Sequence, residues 1–428
     1  MKIQNVKGSY DYLPKEQRIR NYINKILVET FEEYGYKSIE TPILSYYDIL
    51  SDKYDENNDI LKEIYRLKDQ GNRDLGLRYD LTVPFAKFIA LNKNTISFPF
   101  KRYEIAKVFR DGPIKKGRDR EFTQCDIDVV GIKGQYIEAE LLSIYVNVFK
   151  KLDLDVYIKY NSRNLMTGLI LESGVNEELV PNVTTILDKK EKLTTEELND
   201  MLKELGLNNK QINNINKYFN MNLGTLLKTF KETDNEKIKL GLNEIKELDT
   251  YLKGIGIDNI CEFSISLARG QNYYTGNVFE VFDKSKKLTS SIGAGGRYDN
   301  IVGTYINDGN KYEAVGISFG LSSIYELLKD KDIFDNKSET DIFIIPLDTN
   351  IEALKLANDL RNMGYKVEIE MNDKKLKKSM EYANKEKIQY VIVLGQDEIN
   401  NKCFKIKDMF NNIEKIIYKI KDIKKVFK

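Results

Sequence analysis

Apolar residues recur along the first third of this chain with two periods, one typical of helices and one typical of strands. Residues 15–34 and 134–150 have the spacing that predicts amphipathic helices. Residues 77–131 predict strands, interrupted by one helix near 83–92. This part of the chain therefore predicts a sheet flanked by helices.

The middle of the chain changes character twice. From about 165 to 250 the pattern is helical and rich in Lys, Glu and Asn. Strands are then predicted near 262–283 and 288–294. The helical stretch therefore interrupts a strand-forming region, as an insertion does.

The last ninety or so residues predict a separate small fold. Residues 329–340 are polar and charged and form a predicted linker. Strands and helices then alternate, which predicts a small, mainly parallel sheet covered by helices: strands 341–346, 366–370 and 390–394, helices 350–363 and 374–386. Residues 401–428 carry nine Lys and three acidic residues, which suits a phosphate-facing surface and equally a solvated tail.

Composition limits the kind of protein. The 428 residues are 41% hydrophobic and 31% charged, enough for two or three domains with their own cores. Because the net charge is only +1, any nucleic-acid contact must come from local patches. Three dispersed cysteines without a CxxC pair indicate a reduced, cytosolic protein with neither a disulfide framework nor a zinc site. No signal-peptide core or long apolar run indicates secretion or membrane insertion.

The chain contains no histidine. Every mechanism that needs an imidazole base, a Ser-His or Cys-His pair or a histidine metal ligand is therefore excluded. The chemistry must use arginines, carboxylates and phosphate-bound metal. Two explanations of the missing histidine stay open. One is selection for a protein that can still be translated during histidine starvation, and the other is drift in a lineage rich in Lys, Asn and Ile.

The most informative stretch is residues 104–131, which predicts two strands joined by a basic loop. Asp111-Gly112-Pro113 supplies turn chemistry, and Lys115 to Arg118 form an exposed positive tip. Because side chains alternate along a strand, one face of the second strand collects Arg120, Phe122, Gln124, Asp126 and Asp128. The simpler interpretation is a solvated hairpin of mixed charge, but such a hairpin needs neither the aromatic residue nor the amide.

These residues resemble motif 2 of the class II aminoacyl-tRNA synthetases, in the form typical of histidyl-tRNA synthetases. The matching positions are Phe109-Arg110, Gly117-Arg118, Arg120-Glu121-Phe122, Gln124 and Asp128. Further segments resemble other signatures of that family in the same order: 15–42 motif 1, 77–84 the LRxDLTxP segment, 268–280 the histidine signature, 293–299 its glycine-rich continuation, and 315–321 the start of motif 3.

The resemblance implies the fold and its domains. We expect an α+β catalytic domain with an antiparallel sheet over residues 1–328, carrying a helical insertion at about 165–250. Residues 329–340 would be the linker, and 341–428 an α/β anticodon-binding domain. The family works as a homodimer, and motif 1 builds its interface.

The resemblance also implies an activity: ATP-dependent attachment of histidine to tRNA(His) through a histidyl-adenylate, with release of AMP and diphosphate. Arg110 would contact the α-phosphate and the histidine carboxylate, and Arg269 would be a second catalytic arginine at the α-phosphate. Phe122 would stack on adenine, and Arg118 would lie toward the β- and γ-phosphates. The alternative for each arginine is a surface ion pair.

The resemblance also implies which residues bind histidine. They are acids, an amide, a hydroxyl and phenols: Asp80, Thr82, Gln124, Asp128, Tyr273 and Tyr274. The two tyrosines could instead be ordinary core aromatics. Mg²⁺ is expected with the ATP phosphates and without a dedicated protein site. The loop from Lys115 to Arg118 would contact the acceptor end of the tRNA. The protein would work in the cytoplasm.

Three departures from the family pattern stand out. Gln271-Asn272 replaces the usual Leu-Asp, Thr123 replaces the motif 2 histidine, and Ser322-Ser323 replaces the motif 3 Glu-Arg whose arginine grips ATP. Either another cation serves, or ATP binding is impaired. The alternative function is a histidine-sensing paralogue such as the regulatory subunit of ATP phosphoribosyltransferase. Such subunits generally lack both Arg269 and the C-terminal domain, and this chain has both.

Overall fold

The computed structural model describes residues 2–51, 59–114, 119–268, 273–334, 338–372 and 374–426. The chain divides into two compact units, Met1–Asp330 and Lys331–Lys428. In the described part of the chain, none of the helices combines the length and apolar character needed to cross a bilayer.

The strands of the larger unit form two sheets. In chain order they are β1 Lys37–Ser38, β2 Leu44–Tyr46, β3 Arg66–Lys68, β4 Asp74–Leu77, β5 Phe100–Phe109, β6 Glu121–Val130, β7 Val156–Ser162, β8 Cys261–Phe263, β9 Asn277–Asp283, β10 Gly293–Arg297 and β11 Ala314–Gly320. The main sheet has the order β1-β5-β6-β11-β10-β9-β7-β8, and β2-β4-β3 form a small antiparallel sheet. Only the outermost pairs of the main sheet, β1 with β5 and β7 with β8, are parallel.

The helices of this unit are α1 Pro14–Glu33, α2 Tyr47–Ser51, α3 Asp59–Lys62, α4 Thr82–Asn92, α5 Tyr136–Lys151, α6 Arg163–Glu172, α7 Val180–Leu187, α8 Thr195–Glu204, α9 Asn209–Tyr218, α10 Leu223–Thr229, α11 Glu236–Gly254, α12 Ile301–Ile306 and α13 Leu321–Leu328. Two short 3₁₀ segments, Glu177–Leu179 and Lys190–Lys192, lie among α6 to α8. Pro14 begins α1, where its missing N–H costs nothing, and Glu16 accepts a hydrogen bond from the N–H of Leu13.

Aromatic side chains join the sheet to its helices. Phe319 of β11 lies 4.6 Å from the ring of Tyr145 and 5.7 Å from that of Phe149, both on α5, and 5.6 Å from Phe31 on α1. All four are almost fully buried. This packing holds β11, and β6 beside it, against α1 and α5.

The helical stretch predicted from the middle of the chain is confirmed as α6 to α11. Its first and last helices cross closely, because a Cβ at Gly241 of α11 would lie 2.2 Å from the backbone nitrogen of Leu165 on α6. Asn and Thr side chains cap the N-termini of α8, α9, α10 and α11, which explains where each of these helices begins.

The smaller unit contains β12 Ile342–Pro346, α14 Asn350–Asn362, β13 Val367–Ile369, α15 Leu376–Lys385, β14 Tyr390–Leu394, α16 Gln396–Asn400, β15 Phe404–Asp408, β16 Ile413–Ile417 and a 3₁₀ segment Ile420–Lys425. The strand order is β13-β12-β14-β15-β16.

Two predictions about strands were wrong. The C-terminal sheet is mixed and not mainly parallel, because β15 and β16 add an antiparallel hairpin to β14. The strand predicted near 288–294 is β10, which begins at Gly293. The sequence there is rich in Ser and Gly, so it shows little of the alternation between apolar and polar side chains that marks where a strand begins.

Candidate active site

A cavity of about 220 Å³ opens on the main sheet where β6, β10 and β11 lie side by side. The residues just before α4 and those before β9 complete its walls. The lining residues include Asp80, Thr82, Arg110, Phe122, Gln124, Asp126, Asp128, Tyr273, Tyr274, Tyr298, Gly316 and Ser318. Eight of these were singled out from the sequence as substrate-binding residues, and the structure brings those eight together.

Asp80 and Thr82 enter the cavity at the start of α4. The Oδ1 atom of Asp80 accepts a hydrogen bond from the N–H of Val83 at 3.0 Å, and both Asp80 and Thr82 are more than nine-tenths buried. The rings of Tyr273 and Tyr274 lie 4.6 Å apart, and Tyr274 is buried. The tyrosines therefore line the cavity and also pack against core residues.

Asp128 is held at the floor of the cavity by two buried partners. Its Oδ2 lies 2.6 Å from Nη2 of Arg102 on β5, and its Oδ1 accepts a short hydrogen bond from the hydroxyl of Tyr298. Burial raises the pKa of the Asp128 carboxyl, and the Arg102 guanidinium opposes that shift. Gly316 faces Asp128 on β11, and a Cβ there would lie 1.8 Å from Oδ1.

Arg102 connects this floor to a second ion pair. The side chain is fully buried, lies over the ring of Phe85 at 4.4 Å, and contacts Glu104 at 3.6 Å. Glu104 in turn pairs with Arg78 at 3.0 Å and accepts hydrogen bonds from Thr41. A network of buried ion pairs and hydrogen bonds therefore connects Asp128 in the cavity with Arg78 before α4 and with Thr41 after β1.

Gln124 and Asp126 lie one above the other on β6. The Nε2 atom of Gln124 is 3.4 Å from each carboxylate oxygen of Asp126. Burial raises the pKa of Asp126 above the ordinary range of an aspartate, against the influence of Arg102. The Oε1 atom of Gln124 is buried and has no hydrogen-bond partner among the described residues.

Arg110 and Phe122 form the end of the cavity nearest the β5–β6 connection. Nε of Arg110 donates to the carbonyl of Tyr79 at 3.0 Å, and its guanidinium lies 5.0 Å from the centre of the Phe122 ring. A cation and an aromatic face stand next to each other here. Arg118 and Arg269, the other two predicted arginines, lie outside the described residues.

The serines that replace the motif 3 Glu-Arg lie in the first turn of α13. Ser322 lines a second cavity, of about 550 Å³, together with Arg20 of α1. Arg20 is buried, donates to Oγ1 of Thr123 at 3.3 Å and lies 4.0 Å from the ring of Tyr12.

The sequence did not single out Arg102, Tyr298 or Gly316. Tyr298 lies in the glycine-rich segment 293–299, but its bond to Asp128 depends on the pairing of β10, β11 and β6. Arg102 faces Asp128 through the β5–β6 register, which is not readable from an arginine in a basic strand. In the described ranges no cluster of carboxylates and cysteines could hold a metal ion.

The fold and the cavity define a class II aminoacyl-tRNA synthetase. The crystal structure of histidyl-tRNA synthetase from Nostoc sp. PCC 7120 covers 100% of this chain and 99% of its own, with a TM-score of 0.86 and 28% identity. The family model for histidyl-tRNA synthetase matches residues 8–324, and the one for the anticodon-binding domain matches 341–428. The chain therefore belongs to the histidyl-tRNA synthetase family.

Curated relatives extend along nearly the whole chain. Histidine--tRNA ligase 1 of Bacillus cereus is 45% identical over 411 residues, 96% of each chain. Histidine--tRNA ligase of Azobacteroides pseudotrichonymphae is 35% identical over 439 residues, 95% of this chain and 94% of its own. A Bacillus halodurans structure described as an ATP phosphoribosyltransferase regulatory subunit/histidyl-tRNA synthetase is 22% identical with a TM-score of 0.77, covering 92% of this chain and 99% of its own. At that identity it shows the shared fold alone.

Proposed function

We propose that this chain is a histidine--tRNA ligase, which activates histidine with ATP as histidyl-adenylate and transfers it to tRNA(His), releasing AMP and diphosphate. The observation that carries the proposal is the cavity itself. One end presents a guanidinium beside an aromatic ring, and the floor presents carboxylates and an amide oxygen. Membership in the family supports the same reaction.

Adenylation needs fixed positive charge and no protein base. The histidine carboxylate attacks the α-phosphorus, so negative charge grows on the phosphate oxygens in the transition state. Arg110 contacts the α-phosphate and the histidine carboxylate in this proposal, and Arg269 supplies a second charge at the α-phosphate. The hydrogen bond from Arg110 to Tyr79 supports this assignment, because it holds the guanidinium at the cavity before substrate binds.

Phe122 stacks on the adenine ring, and Arg118 reaches the β- and γ-phosphates. The exposed part of Phe122 faces the cavity, which supports its assignment. The ATP phosphates would bring Mg²⁺ without a dedicated protein site, and the ion would offset part of their negative charge.

Histidine is recognised by hydrogen-bond acceptors and phenols. Asp80, Thr82 and Gln124 receive the ammonium group, and Asp128, Tyr273 and Tyr274 contact the imidazole ring. The ion pair of Asp128 with Arg102 supports this arrangement, because it orients the carboxylate before the ligand arrives. An apolar amino acid would leave these buried groups unpaired.

The tRNA would contact two parts of the chain. Its acceptor end would contact the basic loop from Lys115 to Arg118, and its anticodon would contact the domain formed by residues 341–428. That loop lies outside the described residues. The proposed homodimer is supported by three neighbouring apolar side chains that the single chain leaves exposed, Ile43, Leu44 and Tyr46. We place the enzyme in the cytoplasm, where tRNA is charged.

The test is ATP–diphosphate exchange measured with each amino acid in turn. We expect exchange with histidine alone, and its loss in Arg110→Ala and Arg269→Ala. Lys159→Ala is the matched control, because its cation lies over Phe282 on β9, away from the cavity. Histidine binding without exchange would contradict the proposal and favour a histidine sensor.

A further inference from the structure

The side-chain amide of Gln124 could take two orientations in the cavity, and they present opposite chemistry to a ligand. With Oε1 toward the cavity it offers an acceptor, and with Nε2 toward the cavity it offers a donor. Histidine brings N–H donors, on its ammonium group and on its ring. Only the first orientation binds them.

Asp126 faces this amide from two residues along β6. Because side chains two apart on a strand share a face, the carboxylate lies beside the amide, with both oxygens 3.4 Å from Nε2. The ionised carboxylate of Asp126 only accepts hydrogen bonds, so Oε1 turned toward it would bring two acceptors together. Burial raises the pKa of Asp126, so this preference holds at a pH where Asp126 is ionised. The Oε1 atom is buried and has no hydrogen-bond partner among the described residues, and Gln124 and Asp126 both line the cavity.

The carboxylate of Asp126 is itself held in place. It is 4% exposed, and Ser318, its neighbour in register on β11, forms a hydrogen bond with it. The charged groups that face it are Arg102 and Glu104 from β5, Asp128 from β6 itself, and Asp80 from the segment before α4. Burial raises the pKa of Asp126, Arg102 opposes that shift, and the neighbouring acids add to it.

We propose that Asp126 is a positioning residue for histidine binding, which orients the Gln124 amide so that its oxygen accepts an N–H of the substrate. The inference rests on the proposed function for the identity of the ligand. It adds a residue that acts through Gln124 and has no direct contact with the reacting atoms.

The decisive variants are Asp126→Asn and the exchanged pair Gln124→Glu with Asp126→Asn. The amide that Asp126→Asn introduces offers both a donor and an acceptor, so the amide of Gln124 is free to turn. We expect Asp126→Asn to raise the KM and the Kd for histidine by about tenfold and to change the KM for ATP by less than about twofold. In the exchanged pair the amide at position 126 donates to the carboxylate at position 124, whose other oxygen is again an acceptor for the ligand, and most of the lost affinity should be recovered.

Asp283→Asn is the matched control, since it neutralises an equally buried aspartate on β9 that does not line the cavity. Unchanged histidine affinity in Asp126→Asn, equal losses for histidine and ATP, or no recovery in a folded exchanged pair would overturn the inference. Unfolding midpoints establish folding; if the exchanged pair does not fold, the difference between histidine and ATP in the single variant decides.

Calorimetry without ATP measures the histidine Kd independently of adenylation. A protein that binds histidine but shows no exchange would contradict the proposed function, and the Asp126 comparison would still be decided by the Kd. A protein that binds no histidine would overturn both.

Discussion

Replacing Gly316 by alanine tests how tightly the floor of the cavity is built. Gly316 pairs with Asp128 across β6 and β11, and the added Cβ would lie 1.8 Å from Oδ1 and 2.9 Å from the carbonyl oxygen of Ile127. Carbon and oxygen atoms rarely approach closer than about 3.2 Å without strain. The carboxylate of Asp128 must therefore move by more than about 1 Å, because neither strand backbone can yield within the sheet.

That movement breaks contacts between buried groups. Asp128 would lose its 2.6 Å contact with Arg102 and its hydrogen bond from Tyr298, and both partners are almost fully buried. Removing one member of a buried ion pair costs about 3–5 kcal/mol, and displacing it costs somewhat less. We expect Gly316→Ala to lower the free energy of unfolding by about 2–4 kcal/mol and to weaken histidine binding by at least about tenfold.

Urea unfolding followed by circular dichroism gives the stability, and calorimetry gives the histidine affinity. Gly320→Ala on the same strand is the stability control, because its added Cβ would meet nothing closer than the Ile292 carbonyl oxygen at 3.3 Å. We expect it to cost less than about 1 kcal/mol. If Gly316→Ala unfolds at the same urea concentration and binds histidine equally well, the described geometry around Asp128 is wrong.

Three further substitutions test other parts of the structure. Arg102→Met should lower the free energy of unfolding by about 3–5 kcal/mol at pH 7, because it leaves buried carboxylates without their cation. Arg66→Met breaks an exposed ion pair and should change the free energy of unfolding little in the same urea titration. Burial raises the pKa of Glu138 from its ordinary value of 4.5 to about 7, so from pH 4.5 to 7 the folded protein holds more protons than the unfolded chain and loses stability as pH rises. The stability of Glu138→Gln measured at pH 5 and pH 8 should lack this loss, and parallel pH profiles would refute the assignment. Gly241→Ala should cost about 1–3 kcal/mol of stability by separating α6 from α11, whereas Gly254→Ala, with open space around it, should be neutral or slightly stabilising; equal melting temperatures would contradict the close crossing.

The site residues could be predicted from the sequence where chemistry is concentrated in short segments. Residues 104–131 carry an aromatic, an amide and acids at strand spacing, and the structure places Phe122, Gln124 and Asp128 on one cavity. What holds these groups could not be predicted. Arg102 and Tyr298 reach Asp128 only through the register of four strands, which no local pattern specifies.

The C-terminal hairpin was missed although its pattern is visible. Along β15, Phe404 and Ile406 are buried, while Lys405 is exposed and Lys407 only partly buried. This is the alternation of a half-buried strand. The nine lysines of residues 401–428 also fit a phosphate-facing surface or a solvated tail, because all three structures expose charged side chains. Residues 165–250 were predicted to be helical, but the boundaries of α6 to α11 were not predicted.

The most direct test of the central claim is charging of tRNA(His) by the purified protein with labelled histidine and ATP, with a non-cognate tRNA as the control. We expect histidine to become attached to tRNA(His) alone, and Gln124→Ala and Asp128→Asn to suppress the reaction through a higher KM for histidine. Active adenylation without any transfer to tRNA(His), or charging unaffected by both substitutions, would contradict it.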